Sequence, residues 1–386
     1  MKRNKWILLG LWLLSLAGIS LQGGPVTYGI FFLLTLLPLL SLFYLFLEYS
    51  LFRIYQETEG NVLVCNHPCV FHFSLQNESP ILFSGVRVRF YASFSSISGL
   101  SDETVFELHP HTGVRRETTI VCHYRGEYEI GIKEIEIHDL FRLFSVTYRN
   151  PEPYTVHVKP DRIVLNGRKS QNLISESFND SAVNPSALDV LVNEYVPGDD
   201  PRRISWKVSG AVGTLMVRRQ IGEEQEGIGI LLEPKRFSDQ PEVYLPLENK
   251  LLETVIALNL LFMQEGVPVE TCIYERDAES LIVGRTRGFE QFYERMCSYR
   301  FEQDHSSALL FEAVRRKRSV FGRKAVFFIL HEWNTEAEVL AEDLLRNGTA
   351  VTVILIREET GIPEGLKDRI LFISFAPDAK LNEVFQ

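Results

Sequence analysis

The chain has 386 residues, 45% hydrophobic and 23% charged, with a formal net charge of −10. At roughly 150 residues per domain this length predicts two or three domains, and ordinary apolar, Gly and Pro content excludes disordered, collagenous and low-complexity chains. Five Cys are too few for a disulfide scaffold, and the acidic balance excludes a non-specific nucleic-acid binder, which needs a basic face to displace counterions.

The charge is unevenly spread. Residues 1–58 carry four cations (Lys2, Arg3, Lys5, Arg53) and two anions (Glu48, Glu57), leaving 36 cations and 48 anions, a net of −12, in the remainder. Residues 6–22 (WILLGLWLLSLAGISLQ) and 23–47 (GGPVTYGIFFLLTLLPLLSLFYLFL) contain no charge. A spanning helix needs about 20 apolar residues, with about 17 as the lower limit. The turn residues Gln22-Gly23-Gly24-Pro25 separate the two runs, so residues 1–50 read as a transmembrane helical hairpin. Lys2, Arg3 and Lys5 precede it, Arg53 follows it, and the turn has no cation. The positive-inside rule then puts both termini, and the soluble domains, on the cytoplasmic face. Trp6, Tyr28, Tyr44 and Tyr49 flank the spans as interfacial aromatics do, and Pro38 should kink the second helix. A cleaved signal peptide is the alternative, but a second span follows at once and no Ala-x-Ala-like site lies near Gly23. A cytoplasmic placement keeps the five Cys as thiols.

Residues 58–165 change period. RVRFYASF, TTIVCHYRG, GEYEIGIKEIEIHD and YTVHVKP alternate or are rich in β-branched and aromatic residues, separated by turn signals such as Asn77-Glu78-Ser79-Pro80 and Asn150-Pro151. This predicts a β-sandwich-like domain. Ile130, Ile132, Ile135 and Ile137 read as core positions, with a bulge where the alternation breaks between 132 and 135. Cys65, His67 and Cys69, with His72 nearby, would share one face of a strand, and His109, His111, Cys122 and His123 lie on candidate neighbours. A tetrahedral zinc site could draw on such ligands. The spacing matches no finger or ribbon, Pro68 interrupts the strand, and Cys on a strand face is commonly a small buried apolar residue. Packing is therefore the expected role.

Residues 166–226 hold the most informative stretch, LVNEYVPGDDPRRISWKVSGAVGTLMVRR at 191–219. Pro197-Gly198 makes a turn, and Asp200 at an N-cap followed by Pro201 at N1 opens a short helix. Ile204 and Val208 carry its period, Gly213 ends it, and Thr214–Gln220 resumes as a strand. Asp199, Asp200, Arg202 and Arg203 crowd one exposed corner. The stretch resembles the domain of unknown function 58 family, whose hallmark is carried here by Tyr195, Pro197, Gly198, Asp199, Arg203, Ile204, Trp206, Leu215, Val217 and Arg218. Arg125-Gly126-Glu127-Tyr128 and Asp139-Leu140-Phe141-Arg142-Leu143-Phe144 resemble a second patch of that family. Asn193, Ser205 and Gly210-Ala211 depart from its pattern. The resemblance implies a von Willebrand factor A-like α/β domain after the β-rich region, and work beside a MoxR-type AAA+ ATPase, with no established enzymatic activity. Within it, Tyr195, Pro197, Gly198, Asp199, Asp200, Arg202, Arg203, Trp206 and Arg218 form an inter-domain clamp, with Asp199 tied to an Arg and Trp206 packed on a sheet, or a partner-binding surface, and the two can coexist.

Residues 227–386 alternate strands and helices: GIGILLEP, a helix over 246–265, PVETCIYE, helices over 288–300 and 305–317, KAVFFILHEW, TEAEVLAEDLLRNG, AVTVILIRE and RILFISFAP. Continuous apolar strands between helices predict a parallel, doubly wound sheet. Domains of the von Willebrand type hold Mg²⁺ with hydroxyl and carboxylate oxygens after the first strand. The matching positions here are Glu233, Lys235 and Phe237, a degenerate set that predicts no metal. Glu233, His331 and Glu332 at strand ends could serve a hydrolase as acid and base, but no nucleophile elbow, phosphate loop or His-Glu-x-x-His occurs. Arg315–Arg318 reads as a solvated helix end, with anionic headgroups as the alternative contact. The sequence thus predicts a non-enzymatic membrane-anchored scaffold or adaptor without cofactor, binding a protein partner. A hydrolase and a divalent-metal-dependent adhesion module are the alternatives.

Overall fold

The computed structural model describes residues 2–100, 104–167, 169, 172–173, 190–194, 204–220, 227–284, 286–357 and 369–386. The chain divides into two compact units, Met1–Lys159 and Pro160–Gln386.

In the first unit, α1 (Lys2–Gln22) and α2 (Pro25–Leu51) form an apolar hairpin. Gly23 turns the chain at φ 45°, and Pro25 opens α2 at N1, where a missing N–H leaves no donor unpaired. The helices have 21 and 27 residues, so they run about 30 and about 40 Å and can span a hydrocarbon core of about 30 Å. Both are long and apolar enough to cross a membrane. Their contact is partly polar: Trp12 Nε1 donates to Thr35 Oγ1 at 3.0 Å, and the Trp12 ring lies 5.6 Å from that of Phe31. Most of their Leu, Ile and Phe side chains face outward. On α2, Ser41, Leu45 and Glu48 are buried at i, i+4 and i+7, a stripe turned toward the strands that follow.

Those strands are β1 (Phe52–Thr58), β2 (Val62–Val64), β3 (Pro68–Asn77), β4 (Phe83–Phe90), β5 (Ser95–Ile97), β6 (Val105–Leu108), β7 (Gly113–Cys122), β8 (Gly126–Ile130), β9 (Ile132–His138), β10 (Ser145–Arg149) and β11 (Tyr154–Lys159). They pair as β1-β3-β7-β5, β10-β9-β4-β6 and β2-β11-β8. Strand alternation turns Cys69, Phe71, Phe73 and Leu75 inward, where they share one core with Val86, Val88, Ile135 and Ile137 of the second sheet. The Phe73 ring meets those of Phe90 and Phe106 at 5.7 and 6.1 Å. Two sheets sharing one core give the β-sandwich-like arrangement expected from the alternation. The break between Ile132 and Ile135 is a bulge: Phe90 faces Ile132 and Arg89 faces Glu134, so Lys133 is the extra residue.

In the second unit, β12 (Val190–Glu194) pairs with β13 (Met216–Gln220) across α3 (Trp206–Val212). The helix opening expected at Asp200 and Pro201 lies outside the described residues; α3 begins at Trp206. It ends where expected, at Gly213 (φ 82°), whose N–H donates to the Ser209 carbonyl at 2.9 Å. The remaining elements are β14 (Ile228–Leu232), α4 (Pro241–Gln264), β15 (Val269–Tyr274), β16 (Ala278–Val283), α5 (Thr286–Ser298), α6 (Ser307–Lys317), β17 (Ala325–Leu330), α7 (Thr335–Arg346), β18 (Ala350–Ile356), β19 (Leu371–Phe375) and α8 (Leu381–Val384). The sheet order is β16-β15-β14-β17-β18-β19. Ile228, Ile230 and Leu232 enter one core with α4 and α5, while Leu231 enters another with α6 and α7. Helices therefore cover both faces, and the central strands β14 and β17 are apolar throughout for that reason.

Two expectations need correcting. The sheet is not wholly parallel: β16 returns antiparallel to β15. Its segment AESLIV is a half-exposed edge joined by a tight hairpin, so it lacks the continuous apolar signature of its neighbours. Helix α4 begins at Pro241, ahead of residue 246, because Pro241 occupies N1 and Pro246 still falls near the start.

Candidate functional site

The site expected at the carboxyl edge of the second unit's sheet forms around Glu233, the residue after β14. Its carboxyl is buried and meets three donors, the backbone N–H groups of His331 and Glu332 and the Ser307 hydroxyl. Ser307, the first residue of α6, donates its hydroxyl to Oε1. The His331 backbone N–H, just past β17, donates to Oε2 at 2.5 Å. Glu233 thus ties together the ends of two central strands and the start of a helix. Burial raises its pKa to about 7, against the opposing pull of these donors.

The side chains that would replace metal-binding hydroxyls pack on each other. Lys235 Nζ lies 5.0 Å from the centroid of the Phe237 ring, and Phe237 meets the His331 ring edge-on at 4.5 Å. His331 Nδ1 is 3.0 Å from the Ile356 carbonyl, which only accepts, so that nitrogen carries the proton. Arg236 fixes the same loop to α4, with Nε 2.6 Å and one terminal nitrogen 3.2 Å from the two Glu248 oxygens, over the Tyr244 ring at 4.1 Å. Glu332 turns to Arg357, at 3.9 Å. Of the three positions expected to be a degenerate metal set, Lys235 and Phe237 pack together against His331, whose backbone N–H engages the third, Glu233. Sequence reasoning missed Ser307: the Ser306-Ser307 pair marks a helix start, and Ser306 does cap α6, accepting from Leu309 N–H at 3.3 Å. Nothing local connects that start to Glu233.

Of the family-like motif, Tyr195, Pro197, Gly198, Asp199, Asp200, Arg202 and Arg203 lie outside the described residues. Arg218 falls on β13, and its side chain is likewise outside them. Trp206 is described and is 71% exposed; Val212 at 59% and Leu215 at 45% are also exposed, on α3 and just after it. The other residues of the clamp reading, Asp199 and its arginine partner among them, lie outside the described residues.

The Cys and His residues of the first unit separate. Asn66 turns the chain at φ 59° before β3 begins at Pro68, so Cys65, His67 and Cys69 do not lie along one strand. Cys65 and Cys69 are buried in the core, His67 is exposed, and His72 points outward to Glu117 at 3.9 Å. Burial raises the thiol pKa values of Cys69 and Cys122. Among the described residues no three His, Cys, Asp or Glu side chains are grouped to hold a metal. The basic end of α6 is paired: Arg315 to Asp343 at 2.9 Å, Arg316 and Lys317 to Asp277 at 3.3 and 2.8 Å.

No protein-family model and no curated protein matches the chain. Among solved structures it is similar, at 16% identity over 28% of this chain and 86% of the other, to the CARDB domain of a Pyrococcus furiosus protein, with a TM-score of 0.20. The cupredoxin domain of AmoB from Nitrosocaldus yellowstonii matches at 7% identity over the same shares, with a TM-score of 0.21. An exo-β-N-acetylglucosaminidase from Vibrio harveyi matches at 10% identity over 79% of this chain and 57% of the other, with a TM-score of 0.18.

Proposed function

We propose that this protein is a membrane-anchored, non-enzymatic adaptor. The hairpin α1–α2 sits in the bilayer with both termini and both units on the cytoplasmic face, as the cations at its open end direct. The observation that carries the adaptor reading is the exposure of Trp206. A large aromatic left exposed is the kind of residue that anchors protein contacts. The partner class follows from the family resemblance: a MoxR-type AAA+ ATPase, acting in assembly or maturation of a membrane or envelope complex. A central strand β14, parallel neighbours and helices on both faces support a von Willebrand factor A-like fold for this unit. In this reading the Glu233 cluster, with Lys235 and Phe237 packed against His331, is a structural latch at the edge where relatives of that fold hold metal.

Co-purification from detergent-solubilised membranes tests the proposal. Wild type should enrich an AAA+ ATPase, and Trp206→Ala should lose it while unfolding within about 0.5 kcal/mol of wild type, as an exposed substitution does. Equal enrichment by both chains would remove Trp206 from the contact.

A further inference from the structure

The first unit contains a cavity of about 470 Å³ that the adaptor reading leaves unused. It opens between α1, α2 and the turn Asp139–Phe144, and its walls include Lys5, Leu9, Trp12, Leu34, Pro38 and Phe144. Its size falls in the range of small-molecule sites, yet it lies along helices whose surroundings in the membrane are hydrocarbon.

The turn that forms one wall is held firmly. Asp139 is buried and accepts from Phe144 N–H at 2.7 Å, Phe141 N–H at 3.2 Å and the Ser41 hydroxyl of α2. At its tip, Leu140 and Phe141 are 58% and 48% exposed. Asn4 of α1 donates to the Phe141 carbonyl at 3.0 Å, which sets this tip level with the first turn of α1. Exposed Leu and Phe beside the charged start of a spanning helix are what the headgroup boundary accepts. The cavity mouth is therefore at headgroup level, and its depth from Lys5 to Trp12 is about 10 Å of helix toward the membrane centre.

Charge decides the occupant. Lys5 stands at the mouth with its ammonium 5.2 Å from the Phe144 ring centroid, and no carboxylate pairs with it among the described residues. Arg3 and Arg142 are exposed nearby in sequence and on the turn. The first anion after Lys5 is Glu48. A cation at one end of an open apolar groove at the level of the headgroups fits an anionic glycerophospholipid.

We infer that the cavity binds one anionic phospholipid, its phosphate at Lys5 and one acyl chain between α1 and α2 against Leu9 and Leu34. This rests on the membrane reading of the hairpin. The test is native mass spectrometry of the full chain in detergent after exchange into palmitoyl-oleoyl phosphatidylglycerol or phosphatidylcholine of the same chains, with alkaline-carbonate extraction of the source membranes run beside it. Wild type should retain one phosphatidylglycerol in preference to phosphatidylcholine. Lys5→Gln should weaken that retention about fivefold, the effect of one surface cation, and Leu34→Trp should abolish it by filling the groove. Leu9→Phe, a smaller filling, is used if the Trp variant fails to reach the membrane. Equal retention of the two lipids, or retention unchanged in the filled variants, would overturn the inference while the chain still resists carbonate. Release of the wild-type chain by carbonate would instead overturn the membrane reading.

Discussion

Glu233→Gln isolates the latch at the carboxyl edge of the sheet. The folded pKa of Glu233 is about 7 against an ordinary 4.5, with burial as its first cause. A raised folded pKa means that the folded state holds the proton more tightly than the unfolded chain. Its stabilising contribution is complete below about pH 4.5 and is lost as pH rises through about 7. The shift corresponds to at most about 3 kcal/mol. Gln has the shape of the protonated acid. Its carbonyl can accept from the His331 N–H, and its amide can donate to the Ser307 hydroxyl, whose proton then rotates elsewhere. The two chains should therefore be equally stable near pH 4.5, and Glu233→Gln should be the more stable by up to about 3 kcal/mol at pH 8. Hydrogen exchange of β14 and β17 amides at increasing urea, on the full chain in detergent, reads the difference directly. Because other groups titrate equally in both chains, only the wild-type-minus-variant difference is interpreted. A difference that favours wild type more strongly as pH rises would refute the reasoning, because it would make Glu233 a stabilised anion.

Two further outcomes follow from buried groups elsewhere. Asp139→Ala leaves the Phe141 and Phe144 amides and the Ser41 hydroxyl without their acceptor; it should cost about 1–3 kcal/mol and accelerate exchange of those two amides before any other in the first unit. Cys297 is the only half-buried thiol among the five Cys, and burial pushes Cys272 up to about 12. Iodoacetamide at pH 8 should therefore label Cys297 first and reach Cys272 only on unfolding, with peptide mapping as the readout.

Elements whose pattern is local were legible from sequence. The two uncharged runs gave the hairpin, the alternation through Phe71, Phe73 and Leu75 gave the sandwich face, and the continuous apolar strands gave the second unit's sheet. Gly213 was readable as a helix end because only its φ of 82° closes α3 there. What escaped was set by partners distant in the chain. β16 is an edge whose character comes from pairing with β15, and Ser307 meets Glu233 only because α6 returns over the sheet. His67 and His72 fell away from Cys65 and Cys69 because one left-handed residue, Asn66, turns the chain before the strand begins. At the carboxyl edge the residue types Glu233, Lys235 and Phe237 were readable. Their mutual packing, Lys235 over Phe237 against His331, was not.

The central claim is that a membrane-held chain presents Trp206 to a protein partner. A photo-crosslinking amino acid at position 206, activated in intact membranes, tests it most directly. The account predicts an intermolecular adduct whose second component is an AAA+ ATPase, in the membrane fraction that carries the hairpin. Adducts confined to the chain itself, or to lipid, would contradict it.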